Sequence, residues 1–187
     1  MTAGPFLAHV IEFLDAAGIP YMIAGSIAST YHGTPRATQD IDIVVDPPPD
    51  SLTVFLHLAS EAGFYVPEGI AHEALSRRSQ FNVVDPETGW KADLIVCKER
   101  PFSRQEFHRR LPARVLDLDV FIASPEDTIL SKLEWAIHSG SERQIEDVAG
   151  ILRVKREQLD MAYLDRWAEV LGIGEPWRRV RAETAGP

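Results

Sequence analysis

Apolar residues recur at Phe6, Leu7, Val10, Phe13 and Leu14, three and four apart, and predict an N-terminal helix ended by Ala17-Gly18. The period then changes. Tyr21 to Ala24 is a short continuous apolar run, which predicts a buried strand leading into Gly25. Ser26 to His32 predicts a short helix with Ser26 as its N-cap, broken by Gly33-Thr34-Pro35. Ile41 to Val45 is the next strand, stopped by Asp46 and three prolines. Ser51 to Ala62 returns to helical spacing, with Leu52, Phe55, Leu56 and Ala59 on one face. Phe81 to Val84 and Trp90 to Val96 flank Asp85-Pro86-Glu87-Thr88-Gly89 and predict a hairpin. Ala113 to Leu118 and Val120 to Ala123 are further strand candidates.

From Ser124 the pattern is helical throughout. Ser124-Pro125-Glu126-Asp127 combines an N-cap, a proline at the first helical position and early acids. Helices are expected near residues 125–138, 141–152, 157–171 and 175–182. Strands and helices together predict an α/β (α+β) chain, with a core over residues 1–123 and a C-terminal helical lobe over 124–187. No internal repeat and no low-complexity linker separates them.

The 187 residues suffice for one such domain and its helical annex, and 45% apolar with 25% charged residues is an ordinary globular balance. The single cysteine, Cys97, excludes an internal disulfide framework and fits a reducing cytoplasm. Glu12 and Asp15 precede the first basic residue, Arg36, so a basic secretory leader is not expected. No apolar run approaches membrane-spanning length, so no membrane partner is expected. The net charge of −9 argues against non-specific wrapping of nucleic acid. Residues 1–97 hold 4 basic and 12 acidic residues, whereas Lys98 to Arg114 holds six basic and two acidic ones. That run reads either as a solvated face or as a local phosphate-contacting patch.

Chemistry enters between Gly25 and Val45. A Gly-Ser pair follows the first strand, and Asp40 and Asp42 flank Ile41 at the head of the next. Carboxylates at alternate strand positions share one face of a sheet, where like charges are costly unless a cation lies between them. Gly25-Ser26 at a helix start can hold a phosphate through backbone N–H groups. Asp93, entering the apolar run Leu94-Ile95-Val96, is a polar intrusion that needs a partner. If its strand neighbours that of Asp42, three carboxylates converge on an all-oxygen site suited to two Mg²⁺ (or Mn²⁺) ions and a substrate phosphate.

Gly25, Ser26, Asp40, Asp42 and Asp93 together resemble the motif of the minimal nucleotidyltransferase superfamily, whose catalytic core is related to that of DNA polymerase beta. The resemblance covers about residues 18–96 and implies a small mixed β-sheet with helices on one side. It also implies transfer of a nucleoside monophosphate from an NTP to a hydroxyl acceptor. The wording Arg36 to Asp42 is similar to the AbiEii/AbiGii-type toxin branch, as are Lys132 in Ser131-Lys132-Leu133 and Asp147 at the end of Arg143 to Asp147. Gln144 stands where that branch often has an Asp. The branch implies a role in a toxin–antitoxin pair, with a cognate toxin or antitoxin as partner.

Three further residues have two readings each. Arg36 either contacts the γ-phosphate or pairs with Asp46 or Asp50. Lys132 lies off the stripe of Ile129, Leu130, Leu133, Ala136 and Ile137, so it is either solvated or a triphosphate contact. Asp147 either orients Lys132 or pairs with an arginine. His32 is expected to complement a helix C-terminus, Cys97 to be a strand-end core residue, and all four tryptophans to be packing residues.

The acceptor is open between a protein hydroxyl, a tRNA 3′ end and a small molecule. A tRNA acceptor would use the 98–114 run, and a small antibiotic acceptor would use the acidic half. The rival enzyme is therefore an aminoglycoside-type transferase, and the rival of another class is an inactive transferase fold acting as an antitoxin or binding module.

Overall fold

Alternation of apolar and polar residues sets the central strands. In Ile41–Val45 the residues Ile41, Ile43 and Val45 are buried while Asp42 and Val44 point the other way, and Lys91–Val96 repeats the pattern with Ala92, Leu94 and Val96 inward. The computed structural model describes residues 3–38 and 40–184. Its first elements are α1 (Ala3–Ala16), β1 (Tyr21–Ile23), α2 (Gly25–His32), β2 (Ile41–Val45), α3 (Ser51–Glu61) and α4 (Glu68–Arg77). Next come β3 (Gln80–Val84), β4 (Lys91–Val96), α5 (Pro101–His108), β5 (Leu111–Val115) and β6 (Leu118–Ile122). Four helices close the described chain: α6 (Pro125–Ser139), α7 (Glu142–Lys155), α8 (Met161–Val170) and α9 (Gly174–Thr184).

The strands form one mixed sheet in the order β3-β4-β2-β1-β6-β5. β2 runs parallel to β4 and antiparallel to β1, while β1 runs parallel to β6. The register pairs Asp42 with Asp93 directly, so their side chains leave the same face on neighbouring strands. The opposite face packs on α1 and α3, where Leu7, Leu14 and Phe55 join Ile43, Phe81 and Leu94 in one apolar cluster. Each such side chain, fully withdrawn from water, contributes about 1.5–3 kcal/mol. A second cluster gathers Ile129, Leu130 and Leu133 of α6, Val148, Ile151 and Leu152 of α7, and Leu164, Trp177 and Val180. Phe102 of α5 belongs to this second cluster, so a helix between two core strands is anchored in the C-terminal helices.

Several boundaries differ from the sequence expectation. α2 begins at Gly25 with Ala24 as N-cap and no side-chain cap, so Ser26 is a first-turn residue, not the cap. α4 and α5 are additional helices. The strand expected through 113–118 turns at Leu116 and Asp117, whose φ values of 49° and 66° make a tight hairpin. The helix expected over 157–171 is divided: a 3-10 turn at Arg156–Gln158 precedes Asp160, which caps α8 by accepting from the Tyr163 N–H at 2.9 Å. Ser124 does cap α6, accepting from Asp127 N at 3.1 Å. Residues 1–2 and 185–187, at the ends of the expected core and lobe, lie outside the described residues. Among the described residues no helix is long and apolar enough to cross a membrane.

Candidate active site

The turn from β1 into α2 crosses the end of β2. Ala24 N donates to Asp42 O at 2.9 Å, and Gly25 follows with φ +56°. A Cβ on Gly25 would lie 1.9 Å from Asp42 Oδ2. The glycine is therefore required twice, by its left-handed backbone and by the carboxylate laid against it. Asp42 is pushed above the usual carboxylate range, first by burial and then by Asp93 and Asp40, against the pull of Lys132 and the Ser26 amide. Asp93 is held from β3, where Asn82 Nδ2 donates to its Oδ1, and Lys91 Nζ stands 3.7 Å away.

Asp40, Asp42 and Asp93 line one cavity of about 440 Å³ together with Gly25, Ser26 and Lys132. They are not gathered into a ready-made cage: among the described residues no three His, Cys, Asp or Glu side chains are already placed to hold a metal ion. What stands assembled is the Asp42–Asp93 pair, with the exposed Asp40 at the cavity's edge. An all-oxygen donor set whose carboxylates repel one another fits a hard dication.

Lys132 is 5% exposed, so the solvated reading does not hold. Its Nζ donates to Asp147 Oδ2 at 2.7 Å, which leaves two of its three donors for the cavity. Asp147 sits behind the lysine and does not line the cavity. It also accepts from Arg36 Nε at 2.7 Å, Arg36 Nη2 at 2.9 Å and Ser29 Oγ at 3.2 Å. Burial raises the Asp147 carboxyl, but the hydrogen bonds and charges of Arg36 and Lys132 outweigh it and bring it down to about 2. Arg36 Nη2 reaches on to Ser26 Oγ at 2.7 Å. Arg36 therefore pairs with neither Asp46 nor Asp50, and its guanidinium is turned onto Asp147 and Ser26, where it braces the turn.

The basic run is largely paired with the chain's own acids. Arg100 meets Glu134, Arg104 meets Asp46 and Glu99, and Arg109 meets Glu126 and Asp127 at 3.0 Å each. Lys98 lines the cavity. His32 is buried with its Nε2–H donating to Ala123 O at 2.7 Å, and burial lowers its pKa; it ties α2 to the end of β6 as a neutral ring, not as a charged partner for the helix end. Cys97 is buried at the strand end as expected, and burial pushes its thiol up.

Glu106 is the residue the sequence reading passed over. It is 9% exposed, lines the cavity, and accepts from Ser131 Oγ at 2.7 Å. Burial lifts its carboxyl to about 8, assisted by Asp127 and Glu134 and opposed by the Ser131 hydroxyl and Arg100. The available signal was a glutamate four residues after Phe102 and beside Phe107, on the face that α5 buries. Trp135, expected to be a packing residue, is 60% exposed and lines the same cavity.

The architecture around this cavity is shared with solved proteins. The antibiotic-resistance factor ANT(2'')-Ia in solution aligns with a TM-score of 0.58 at 15% identity, over 96% of this chain and 93% of that one. The crystal structure of ANT(2'')-Ia in complex with adenylyl-2''-tobramycin gives 0.60 at 15% identity, over 96% and 99%. An antigenic nucleotidyltransferase-like protein from Paracoccidioides brasiliensis gives 0.51 at 18% identity, over 90% of each chain. The fold is one that solved nucleotidyltransferases share. The lincosamide antibiotic adenylyltransferase LnuA, with lincomycin bound, also aligns at 0.50 and 14% identity, over 78% of this chain and 93% of that one. No family model matches the chain, and no curated protein sequence matches it. In this nucleotidyltransferase fold the cavity lies on the sheet face that carries Asp42 and Asp93, between that face and α6.

Proposed function

We propose that this chain is a nucleotidyltransferase that moves a nucleoside monophosphate from an NTP to a hydroxyl of a small molecule, with residues 1–123 as catalytic core and 124–187 as helical lobe. The observation that carries the reading is the in-register pair Asp42–Asp93 facing one cavity with the Gly25-Ser26 turn and Lys132. The structural likeness to ANT(2'')-Ia and LnuA supports a small-molecule acceptor. The pairing of Arg100, Arg104 and Arg109 with acids of the same chain disfavours a tRNA acceptor, which would need those charges.

Gly25 leaves room for the Asp42 carboxylate against the turn, the Ser26 hydroxyl and the remaining Lys132 donors bind the phosphates, and Arg36 and Asp147 fix both groups in place. Asp40, Asp42 and Asp93 would hold Mg²⁺ or Mn²⁺, which when bound activates a hydroxyl and offsets the charge of the leaving pyrophosphate. The acceptor oxygen attacks the α-phosphorus, the bond to the β-phosphate oxygen breaks, and Asp93 takes the hydroxyl proton while Asn82 holds its Oδ1. The test is transfer of label from α-labelled NTPs to small hydroxylated acceptors, with tobramycin and lincomycin among the probes. Label moving only into protein or tRNA would overturn the small-molecule reading.

A further inference from the structure

Four side chains of α6 line the cavity: Thr128, Ser131, Lys132 and Trp135. Their spacing of three, four and seven residues puts them on one stripe of the helix. Lys132 and Trp135 are thus one turn apart on the same wall. Trp135 is the aromatic of that wall, 60% exposed, and among the described residues its indole N–H has no protein partner. Across from the stripe, α5 contributes Ser103 and the buried Glu106. Only Oε1 of Glu106 is engaged, by Ser131, and Oε2 has no protein partner among the described residues. The rest of this part of the lining is Ile95, Cys97 and Ala123, with Lys98 and Arg100 as its charged members.

We propose that Trp135 and Glu106 form the nucleobase subsite: the indole stacks on the base, and the Glu106 carboxyl hydrogen-bonds its edge. This rests on the reading of Gly25, Ser26 and Lys132 as the triphosphate site. A base is tethered to its phosphates through one ribose, and a flat aromatic face one helical turn from the phosphate-binding lysine is within that tether. Stacking takes any base through its π-face, and a carboxyl that offers a donor as well as an acceptor can meet a ring edge that carries both. At neutral pH the raised pKa keeps Glu106 protonated and supplies that donor.

The test is calorimetric titration of ATP, GTP, CTP, UTP and inorganic tripolyphosphate, in Mg²⁺, into the wild type and three variants. Trp135→Leu should weaken the best-bound nucleotide about tenfold and leave tripolyphosphate unchanged. Trp135→Phe should recover most of the loss. Glu106→Leu, which removes both donor and acceptor, should weaken the best-bound nucleotide about fivefold and leave tripolyphosphate unchanged. The quenching of tryptophan fluorescence by nucleotide should vanish in Trp135→Leu. A Trp135→Leu protein that binds nucleotide as tightly as wild type overturns the subsite, and so does an equal loss for nucleotide and tripolyphosphate. A wild type that binds neither ligand overturns the triphosphate site itself, and the subsite with it.

Discussion

Arg36 grips Asp147 through both Nε and Nη2, at 2.7 and 2.9 Å, and so fastens the loop before β2 to helix α7. The same carboxylate takes the Lys132 ammonium at 2.7 Å, and the same guanidinium reaches the Ser26 hydroxyl. One carboxylate therefore sets the position of both groups assigned to the phosphates. Removing it should matter more than its distance from the cavity suggests. Asp147→Ala leaves Lys132 buried without a counter-charge, and should cost about 3 kcal/mol in urea unfolding. Asp147→Asn, which keeps one acceptor, should cost less.

The same group predicts an acid limb of stability. Its folded pKa of about 2 lies below its ordinary 3.8. A depressed carboxyl stabilises the fold above the unfolded value, and the contribution is lost as pH falls from about 4 to 2. The full loss is about 2 kcal/mol, and the acid unfolding curve of Asp147→Asn should lack it.

Glu106 predicts the opposite sign. Its folded pKa of about 8 exceeds its ordinary 4.5, so the folded protein holds a proton that the unfolded chain releases. Its contribution is present below about 4.5 and is lost as pH rises toward 8, at up to about 1.4 kcal/mol per pH unit. The groups facing it are Ser131, Asp127 and Glu134 on α6 and Arg100 just before α5. Glu106→Gln should flatten the melting temperature between pH 5 and 8 relative to wild type; an unchanged slope would mean that Glu106 is ionised throughout.

Gly25→Ala should disrupt the site more than the fold. A left-handed φ costs a residue with a Cβ roughly 1–2 kcal/mol, and the Cβ must displace Asp42 Oδ2. A shift of that carboxylate by about an ångström should lower transfer about a hundredfold. The comparison to make is kcat/KM against the melting temperature of the same sample.

Much of this was legible in the sequence because the relevant signals were local. The alternation in Ile41–Val45 and Lys91–Val96 gave the faces of two strands, and the Asp-x-Asp spacing placed Asp42 on the polar one. What strand lay beside Asp42 was a matter of topology, and so was the partner of Arg36, which is 111 residues away in the chain. α4 was hidden because it buries only Ala71 and Ala74, too little apolar surface to mark a stripe. α5 was hidden because Glu106 and Ser103 occupy two of its four buried positions. The turn at Leu116-Asp117 carries no glycine or asparagine, so the strand was read through it. The two readings of Lys132, solvated or phosphate contact, stay open in the sequence because its counter-charge belongs to another helix.

The carboxylate pair gives the most direct test. With α-labelled NTP, Mg²⁺ and the small-molecule fraction of a cell extract, the wild type should label an acceptor, and Asp42→Asn should cut the rate by about a hundredfold or more while the protein stays folded. In the same samples Mg²⁺ should raise the melting temperature of the wild type and much less that of the variant. Equal transfer by a folded Asp42→Asn protein, or none by the wild type with any NTP, would contradict the account.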